Sequence, residues 1–248
     1  MKNKEIILIL SQKGGVGKSV LTYQIANKIL QVGIEDKVCF FDLDNENKSS
    51  LRRIGFLPCR CFDLTDQETK SIDRTQFDRL IFKFCEDDTL DALVCDFGSS
   101  ASDQFKKYLM TKTGLGLLSY YIQEKGLSVK LLCVVGGGDV FESSFDFAAE
   151  VFNQTYTIQG INLNLMYNCY FKLTEIQSNR ITDLCGYYKA GYYPYSLLFE
   201  ESGGIGLSKI KTMMEEGVSP LISDDMISLF RYRFSLNMMD FPLDILNR

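Results

Sequence analysis

Residues 6 to 19 read Ile-Ile-Leu-Ile-Leu-Ser-Gln-Lys-Gly-Gly-Val-Gly-Lys-Ser, an apolar run that leads directly into a glycine-rich turn. Five consecutive apolar residues at 6–10 predict a short strand that is buried on both faces. After the turn, Leu21, Ile25 and Ile29 recur at helical spacing, and Gly33 follows, which predicts a helix over residues 19–30. A buried strand, a tight turn and a helix in this order predict an α/β fold.

Short apolar runs alternate with helical patterns along the rest of the chain. This alternation predicts one domain over residues 1–248, with a mostly parallel sheet and helices on both faces. Residues 52–88 are the least regular segment, and the sequence leaves open whether they form an excursion over the sheet edge. Further strands are predicted at 37–41, 92–95, 129–135 and 162–167, with a short one ending at Tyr193, and further helices at 105–123, 141–153, 208–216 and 225–239.

Composition excludes several classes of function. The chain has 248 residues, of which 46% are apolar, enough to bury a core. Its 27 basic and 32 acidic residues give a net charge of −5, which argues against a generally basic nucleic-acid binder. The absence of histidine excludes Ser-His-Asp and Cys-His catalysis as well as histidine-ligated zinc.

The eight cysteines predict reduced thiols. Cys39, Cys95 and Cys133 lie inside apolar runs, where cysteine behaves as a small apolar residue. Cys59 and Cys61 are too close together for an ordinary zinc knuckle. The chain shows no secretory signal and no apolar stretch near the roughly 20 residues of a membrane span. We therefore expect a soluble, cytoplasmic protein.

The glycine-rich turn has the composition of a phosphate-binding loop. Glycines let backbone N–H groups turn toward phosphate oxygens, and the following helix N-terminus favours negative charge. Lys18 is then placed to lie along the β- and γ-phosphates, and the Ser19 hydroxyl to bind Mg²⁺. The usual pattern has glycine at position 12, whereas this chain has Gln12 and an additional lysine, Lys13. The predicted nucleotide-binding residues are Gly14, Gly15, Val16, Gly17, Lys18, Ser19 and Val20.

The run from Lys13 to Ser19 resembles the deviant Walker A motif of the ParA/MinD superfamily of dimerising ATPases. The resemblance implies a P-loop NTPase fold of the ParA-like (SIMIBI) kind, with ATP and Mg²⁺ as cofactors. It also implies a homodimer that forms on ATP, in which Lys13 reaches the phosphates bound by the partner chain. A cation delivered in this way stabilises transition-state charge as an arginine finger does, so Lys13 and Lys18 are both predicted to be catalytic.

Acidic residues follow two of the predicted strands: Asp42 and Asp44 after the second, and Asp96 after the third. Because such residues lie at the carboxyl edge of a parallel sheet, we expect them in the same crevice as the loop. Asp42 and Asp44 resemble the D-x-D switch of the superfamily, which implies that Asp44 orients the attacking water and Asp42 supports Mg²⁺. Asp96 resembles the Walker B acid and would hold Mg²⁺ through water. Gly98 and two serines replace the proline that often follows that acid.

The resemblance also implies contacts with the base. Asn168, after a predicted strand, corresponds to the residue that reads the adenine edge, and Pro194 and Tyr195 correspond to the segment that packs against the base. Ordinary turn residues are the alternative interpretation. Residues 135–145 and 167–171, and Lys48-Ser49-Ser50, resemble the TraL and StbB proteins of conjugative and mobilisable plasmids.

These motifs predict a Mg²⁺-dependent ATPase with slow turnover that acts in plasmid or chromosome partition or in conjugative DNA transfer. The implied partners are a centromere-binding or relaxase-associated adaptor and non-specific DNA. A positioning ATPase that cycles on a membrane, as MinD does, is a second interpretation, but residues 226–241 carry only two arginines, fewer than a membrane-surface helix needs. An iron–sulfur protein similar to the nitrogenase iron protein is a third interpretation, and a nucleotide-gated scaffold with little turnover is a fourth.

Overall fold

The computed structural model describes residues 4–43, 49–65, 68, 73–196 and 204–224, together with five residues near the C-terminus: Arg231, Tyr232, Phe234, Ser235 and Met238. Seven strands lie in this part of the chain: β1 Lys4–Leu10, β2 Val38–Asp42, β3 Cys59–Cys61, β4 Ala92–Asp96, β5 Leu127–Val135, β6 Ile161–Asn168 and β7 Gly191–Tyr195. They form one sheet in the order β3-β2-β4-β1-β5-β6-β7, and every neighbouring pair is parallel.

The helices that connect these strands are α1 Lys18–Val32, α2 Ser49–Arg53, α3 Thr75–Glu86, α4 Ser99–Leu109, α5 Lys112–Lys125, α6 Phe141–Thr155, α7 Glu175–Tyr188 and α8 Gly204–Glu216. Short 3₁₀ turns at Glu35–Lys37 and Gly138–Val140 precede β2 and α6. None of the helices in the described ranges combines the length and apolarity needed to cross a membrane.

Apolar side chains cover both faces of the sheet. Ile6 and Leu8 of β1 join a core formed with α3, α4, α5, α6 and α7. Ile7 and Ile9 point to the other face and join a core formed with α1, α8 and Phe234. Since successive side chains of a strand point to opposite faces, the continuous apolar run of β1 fills both cores. The predicted α/β class, with helices on both faces, is confirmed.

The sheet order places a change of direction beside β1. Strands β4 and β5 flank β1: the chain passes from β1 to β2 toward one edge of the sheet, and later from β4 across β1 to β5 toward the other edge. In an open parallel sheet, such a reversal leaves a crevice outside the carboxyl ends of the strands. The loop after β1 and the last residues of β2 and β4 lie at this carboxyl edge.

The predicted strands agree with the observed ones to within two residues, but the helix predicted over 105–123 is wrong. Two helices, α4 and α5, occupy this region and are separated by Met110 and Thr111. The Thr111 hydroxyl accepts a hydrogen bond from the Gly114 N–H at 3.0 Å, so Thr111 caps the start of α5 and ends the continuous helix. Of the helix predicted at 225–239, five helical residues fall within the described part of the chain.

The irregular segment over 52–88 does reach the sheet edge. It contains β3, which pairs with β2 as an outer strand, and α3, whose buried Phe77 and Leu80 enter the core. Helix α7 was also missed, because only Ile181 and Cys185 of its side chains are buried and its apolar pattern is therefore weak. Its capping box, formed by Thr174 and Gln177, is the sequence signal that indicates its start.

Candidate functional site

The loop between β1 and α1 depends on glycine at two positions. Gly15 and Gly17 have φ angles of 77° and 108°, in the region that only glycine adopts readily. At Gly17 a Cβ atom would also lie 2.3 Å from Asn168 Nδ2 and 2.7 Å from the Tyr195 hydroxyl. The glycines therefore allow the backbone to turn sharply and to lie close against the ends of β6 and β7.

The buried side chain of Lys18 forms hydrogen bonds with the first part of the loop. Its ammonium group donates hydrogen bonds to the Ser11 and Lys13 carbonyl oxygens at 3.2 and 3.1 Å, and the side chain is only 9% exposed. The Ser11 N–H donates to the buried Ser102 hydroxyl of α4 at 3.2 Å, which fixes the start of the loop. A buried lysine with these carbonyl partners can exchange them for more negatively charged phosphate oxygens.

Lys13 lies at the surface, in contrast to Lys18. Its backbone N–H donates to the Ser11 hydroxyl at 3.4 Å, while its side chain is exposed. Gln12, Gly14 and Gly15 are exposed beside it. The outer side of the loop is therefore accessible to solvent.

Asp42 and Asp96 lie side by side at the carboxyl ends of β2 and β4, where they are register partners. Both are buried, with exposures of 0% and 3%. Asp42 Oδ2 accepts hydrogen bonds from the backbone N–H groups of Ser50 and Leu51, each at 2.9 Å. The Ser50 hydroxyl donates to Asp96 Oδ2. Hydrogen bonds from helix α2 thereby hold the ends of both β2 and β4.

Burial raises the pKa of the Asp96 carboxyl group to about 6. The hydrogen bond from Ser50 and the nearby charge of Lys18 act in the opposite direction, while the charge of Asp42 adds to the increase. Asp96 Oδ1 is buried and accepts no hydrogen bond from any residue in the described ranges. A buried carboxylate oxygen in this state is costly, and a cation nearby would offset the cost.

The residues present fit a magnesium ion. Mg²⁺ prefers oxygen ligands, keeps several waters and is usually bound by one or two carboxylates together with substrate phosphates. The open Asp96 oxygen, the Asp42 carboxylate and the Ser19 hydroxyl at the start of α1 supply such oxygens. No group of three or more Asp, Glu, Cys or His side chains that could hold a metal occurs among the described residues. Two carboxylates and one hydroxyl are a donor set that suits a cation bound together with a phosphate.

Asn168 and Tyr195 lie against the loop. The Asn168 amide donates from Nδ2 to the Val16 carbonyl at 3.0 Å and accepts from the Tyr170 N–H at 3.1 Å. The Tyr195 hydroxyl donates to the Gly17 carbonyl at 3.1 Å. Both side chains are buried and support the loop, whereas Pro194 is exposed on the edge strand β7. Contact of these three residues with adenine stays a prediction.

The remaining predicted site residues take different positions. Val20 is half-buried in α1. Ser99, which was not among the predicted site residues, also approaches the loop, and its Oγ lies 3.7 Å from the position that a Cβ on Gly14 would take. Asp44 lies outside the described residues, so its predicted role in orienting water stays a prediction. The sequence patterns did not predict Ser50 and Ser102 as contacts of the site. The serine pair that follows the two acids was the available signal for Ser50.

All eight cysteines are free in this structure, and Cys39, Cys95 and Cys133 are buried. Burial raises the pKa of Cys59 to about 12 and that of Cys185 to about 11, which keeps both thiols protonated and unreactive near neutral pH.

No family model and no curated protein matches this chain. Solved structures of similar shape include a nucleotide-binding protein in complex with ADP from Archaeoglobus fulgidus, with 16% identity, a TM-score of 0.46 and coverage of 86% of this chain and 87% of that one. The MinD cell division protein of Aquifex aeolicus gives 16% identity, a TM-score of 0.48 and 95% coverage of both chains. The MinC:MinD complex of that organism gives 16% identity, a TM-score of 0.49, and coverage of 98% and 99%.

Proposed function

We propose that this protein binds ATP together with Mg²⁺ at the loop over residues 14–19 and hydrolyses it slowly, as an ATPase of the ParA/MinD kind. One observation carries the proposal: a glycine loop closed by a buried lysine meets two buried carboxylates at the same edge of a parallel sheet. This arrangement brings the donors that bind phosphate close to the acids that bind a cation.

The loop and Lys18 supply most of the binding in this mechanism. Backbone N–H groups of residues 14–19 and the Lys18 ammonium bind the phosphate oxygens and hold the terminal phosphate in position. Ser19, Asp42 and Asp96 would hold Mg²⁺, which when bound neutralises charge on the phosphates. Phosphoryl transfer depends mainly on positioning and charge stabilisation, so the lack of histidine is no obstacle.

We further propose that ATP brings two copies of the chain together. Lys13 is exposed on the open side of the loop, where its side chain can reach a phosphate held by a partner chain. Asp44 is proposed to orient the attacking water. Because the positive charge of Lys13 comes from the partner chain, the isolated subunit is expected to hydrolyse ATP slowly.

The proposed biological role is partition of a plasmid or chromosome, or support of conjugative transfer, through an adaptor protein and non-specific DNA. The support for this role is the resemblance of the loop to that superfamily and of residues 48–50, 135–145 and 167–171 to its plasmid branch. Gel shifts with non-specific DNA across a salt series, and flotation with anionic liposomes, each with and without ATP, distinguish this role from cycling on a membrane.

The test of the proposed ATP site is calorimetric titration of Mg²⁺–ATP into the wild-type protein and Lys18→Ala. Loss of a buried, charge-assisted contact with phosphate should raise the Kd of the variant by roughly 100-fold. Lys83→Ala removes an exposed lysine of α3 and should bind as the wild type does. Equal affinity of Lys18→Ala and Lys83→Ala would refute the assignment of the loop.

A further inference from the structure

Ser50 contacts both buried acids of the candidate site. Its backbone N–H donates to Asp42 Oδ2 at 2.9 Å, and its hydroxyl donates to Asp96 Oδ2. The residue is 1% exposed and belongs to the first turn of α2, 46 positions before Asp96 in the sequence. A single serine thus connects two acids that are adjacent in the sheet but distant in the chain.

The hydrogen bond from Ser50 makes the two oxygens of Asp96 unequal. Oδ2 is occupied by the serine hydroxyl, while Oδ1 is buried and has no hydrogen-bond partner within the described part of the chain. An arrangement that served stability alone would satisfy both oxygens, because an unpaired buried acceptor costs about 1–3 kcal/mol. The second oxygen is therefore held open in a fixed direction.

Residues that hydrogen-bond the ligands of a metal commonly fix the orientation of those ligands and raise the affinity of the site. Ser50 has the position and chemistry for this task, since it holds one carboxylate oxygen and can neither ionise nor bring a competing charge. Its backbone contact with Asp42 fixes the second acid relative to the first.

We propose that Ser50 is a positioning residue for the cation that accompanies the nucleotide. Its hydroxyl orients the Asp96 carboxylate so that Oδ1 is available to the hydrated ion, and its N–H holds Asp42 beside it. This inference rests on the proposed function, because it concerns the cation that arrives with the phosphates.

The experiment measures the Kd of adenylyl imidodiphosphate by calorimetry, once with Mg²⁺ and once with EDTA, and compares the ratio of the two values between proteins. Ser50→Ala should reduce the enhancement by Mg²⁺ about 10-fold or more, as loss of such an orienting partner commonly does. The Kd in EDTA should stay at the wild-type value, because the loop itself is unchanged. Ser178→Ala, at an exposed position of α7, is the matched control and should keep the full ratio.

Ser50→Cys has nearly the size of serine but donates only weakly, so it tests the hydrogen bond even if Ser50→Ala does not fold. We expect it to lose the Mg²⁺ enhancement as well. A wild-type ratio in both variants, or an equal rise of Kd with Mg²⁺ and with EDTA, would overturn the positioning role. Failure of the wild-type protein to bind the analogue in either buffer would instead overturn the proposed function.

Discussion

Asp96 shows most clearly, at the scale of a single residue, that the site is built at a cost to stability. The carboxylate is 3% exposed, and burial raises its pKa to about 6 although Ser50, Lys18 and Ser19 all act to lower it. Removing a carboxylate from water disfavours its charged form. A cation that binds only the folded protein would recover this cost.

The direction of this shift predicts how stability depends on pH. The native pKa of about 6 lies above the ordinary 3.8, so between these values the folded protein binds more protons than the unfolded chain. The contribution of Asp96 to the free energy of unfolding therefore falls as pH rises from about 4 to 6 and stays low above pH 6. In EDTA, Asp96→Asn should be more stable than the wild type by about 1–3 kcal/mol at pH 7.

Urea unfolding between pH 4 and pH 7.5 measures this difference, and the advantage of Asp96→Asn should shrink toward pH 4. Asp183→Asn changes an exposed acid of α7 and serves as the control, with a pH profile like that of the wild type. If the wild-type protein were at least as stable as Asp96→Asn at pH 7, burial would not disfavour the charged form of this carboxylate.

The sequence predicted those site residues that directly follow strands. It did not predict the contacts that residues distant in the chain make with them. Lys18, Asp42 and Asp96 stand at fixed offsets from buried strands, and the carboxyl ends of parallel strands meet at one edge. The contact between Ser50 and Asp96 spans 46 residues and depends on where α2 turns back over the sheet. The contact of Asn168 with the loop spans 152 residues and depends on the strand order.

At the scale of elements, the turn after α8 ties three helices together. Gly217 has a φ angle of 70°, and a Cβ there would lie 2.4 Å from the Arg52 carbonyl oxygen of α2. Beyond it, the Val218 carbonyl accepts a hydrogen bond from the Tyr23 hydroxyl of α1 at 2.7 Å. Helix α2, which contacts both acids through Ser50, is thus packed against the end of α8.

This close approach predicts a large effect of one added methyl group. Gly217→Ala combines a strained left-handed backbone with a clash against backbone atoms, so it should lower the free energy of unfolding by roughly 2 kcal/mol or more. Gly116→Ala lies within α5 with nothing within 4 Å of the added Cβ, and it should raise stability by about 0.5–1 kcal/mol. Chemical unfolding of both variants tests the difference, and a neutral Gly217→Ala would mean that α2 and α8 separate easily.

The elements themselves were predictable to different degrees. Strands β1, β4 and β5 each contain an uninterrupted apolar run, at 6–10, 92–95 and 131–135, which is typical of a strand buried on both faces. Strand β3 has three residues with Arg60 at its centre, and α7 buries only two side chains, so neither gives a strong periodic signal. The break between α4 and α5 depends on the Thr111 cap within an otherwise helical pattern.

For the molecule as a whole, the sheet collects groups from distant parts of the chain at one edge. The loop follows β1, the acids end β2 and β4, and Asn168 and Tyr195 end β6 and β7. Four of these strands have neighbours on both sides, so the groups proposed to bind phosphate and the cation stand on a rigid support. Lys13, by contrast, is exposed to solvent.

Light scattering with Mg²⁺ and a non-hydrolysable ATP analogue tests whether two copies of the chain share a nucleotide site, because it measures the mass of the complex. We predict that the wild-type protein, with a chain mass of 28.3 kDa, doubles its mass in the presence of the analogue. Lys13→Ala should bind the analogue yet remain a monomer, while Lys83→Ala should dimerise normally. Two results would contradict a shared site. One is a wild-type protein that keeps the mass of one chain when saturated with the analogue, and the other is a Lys13→Ala dimer as stable as that of the wild type.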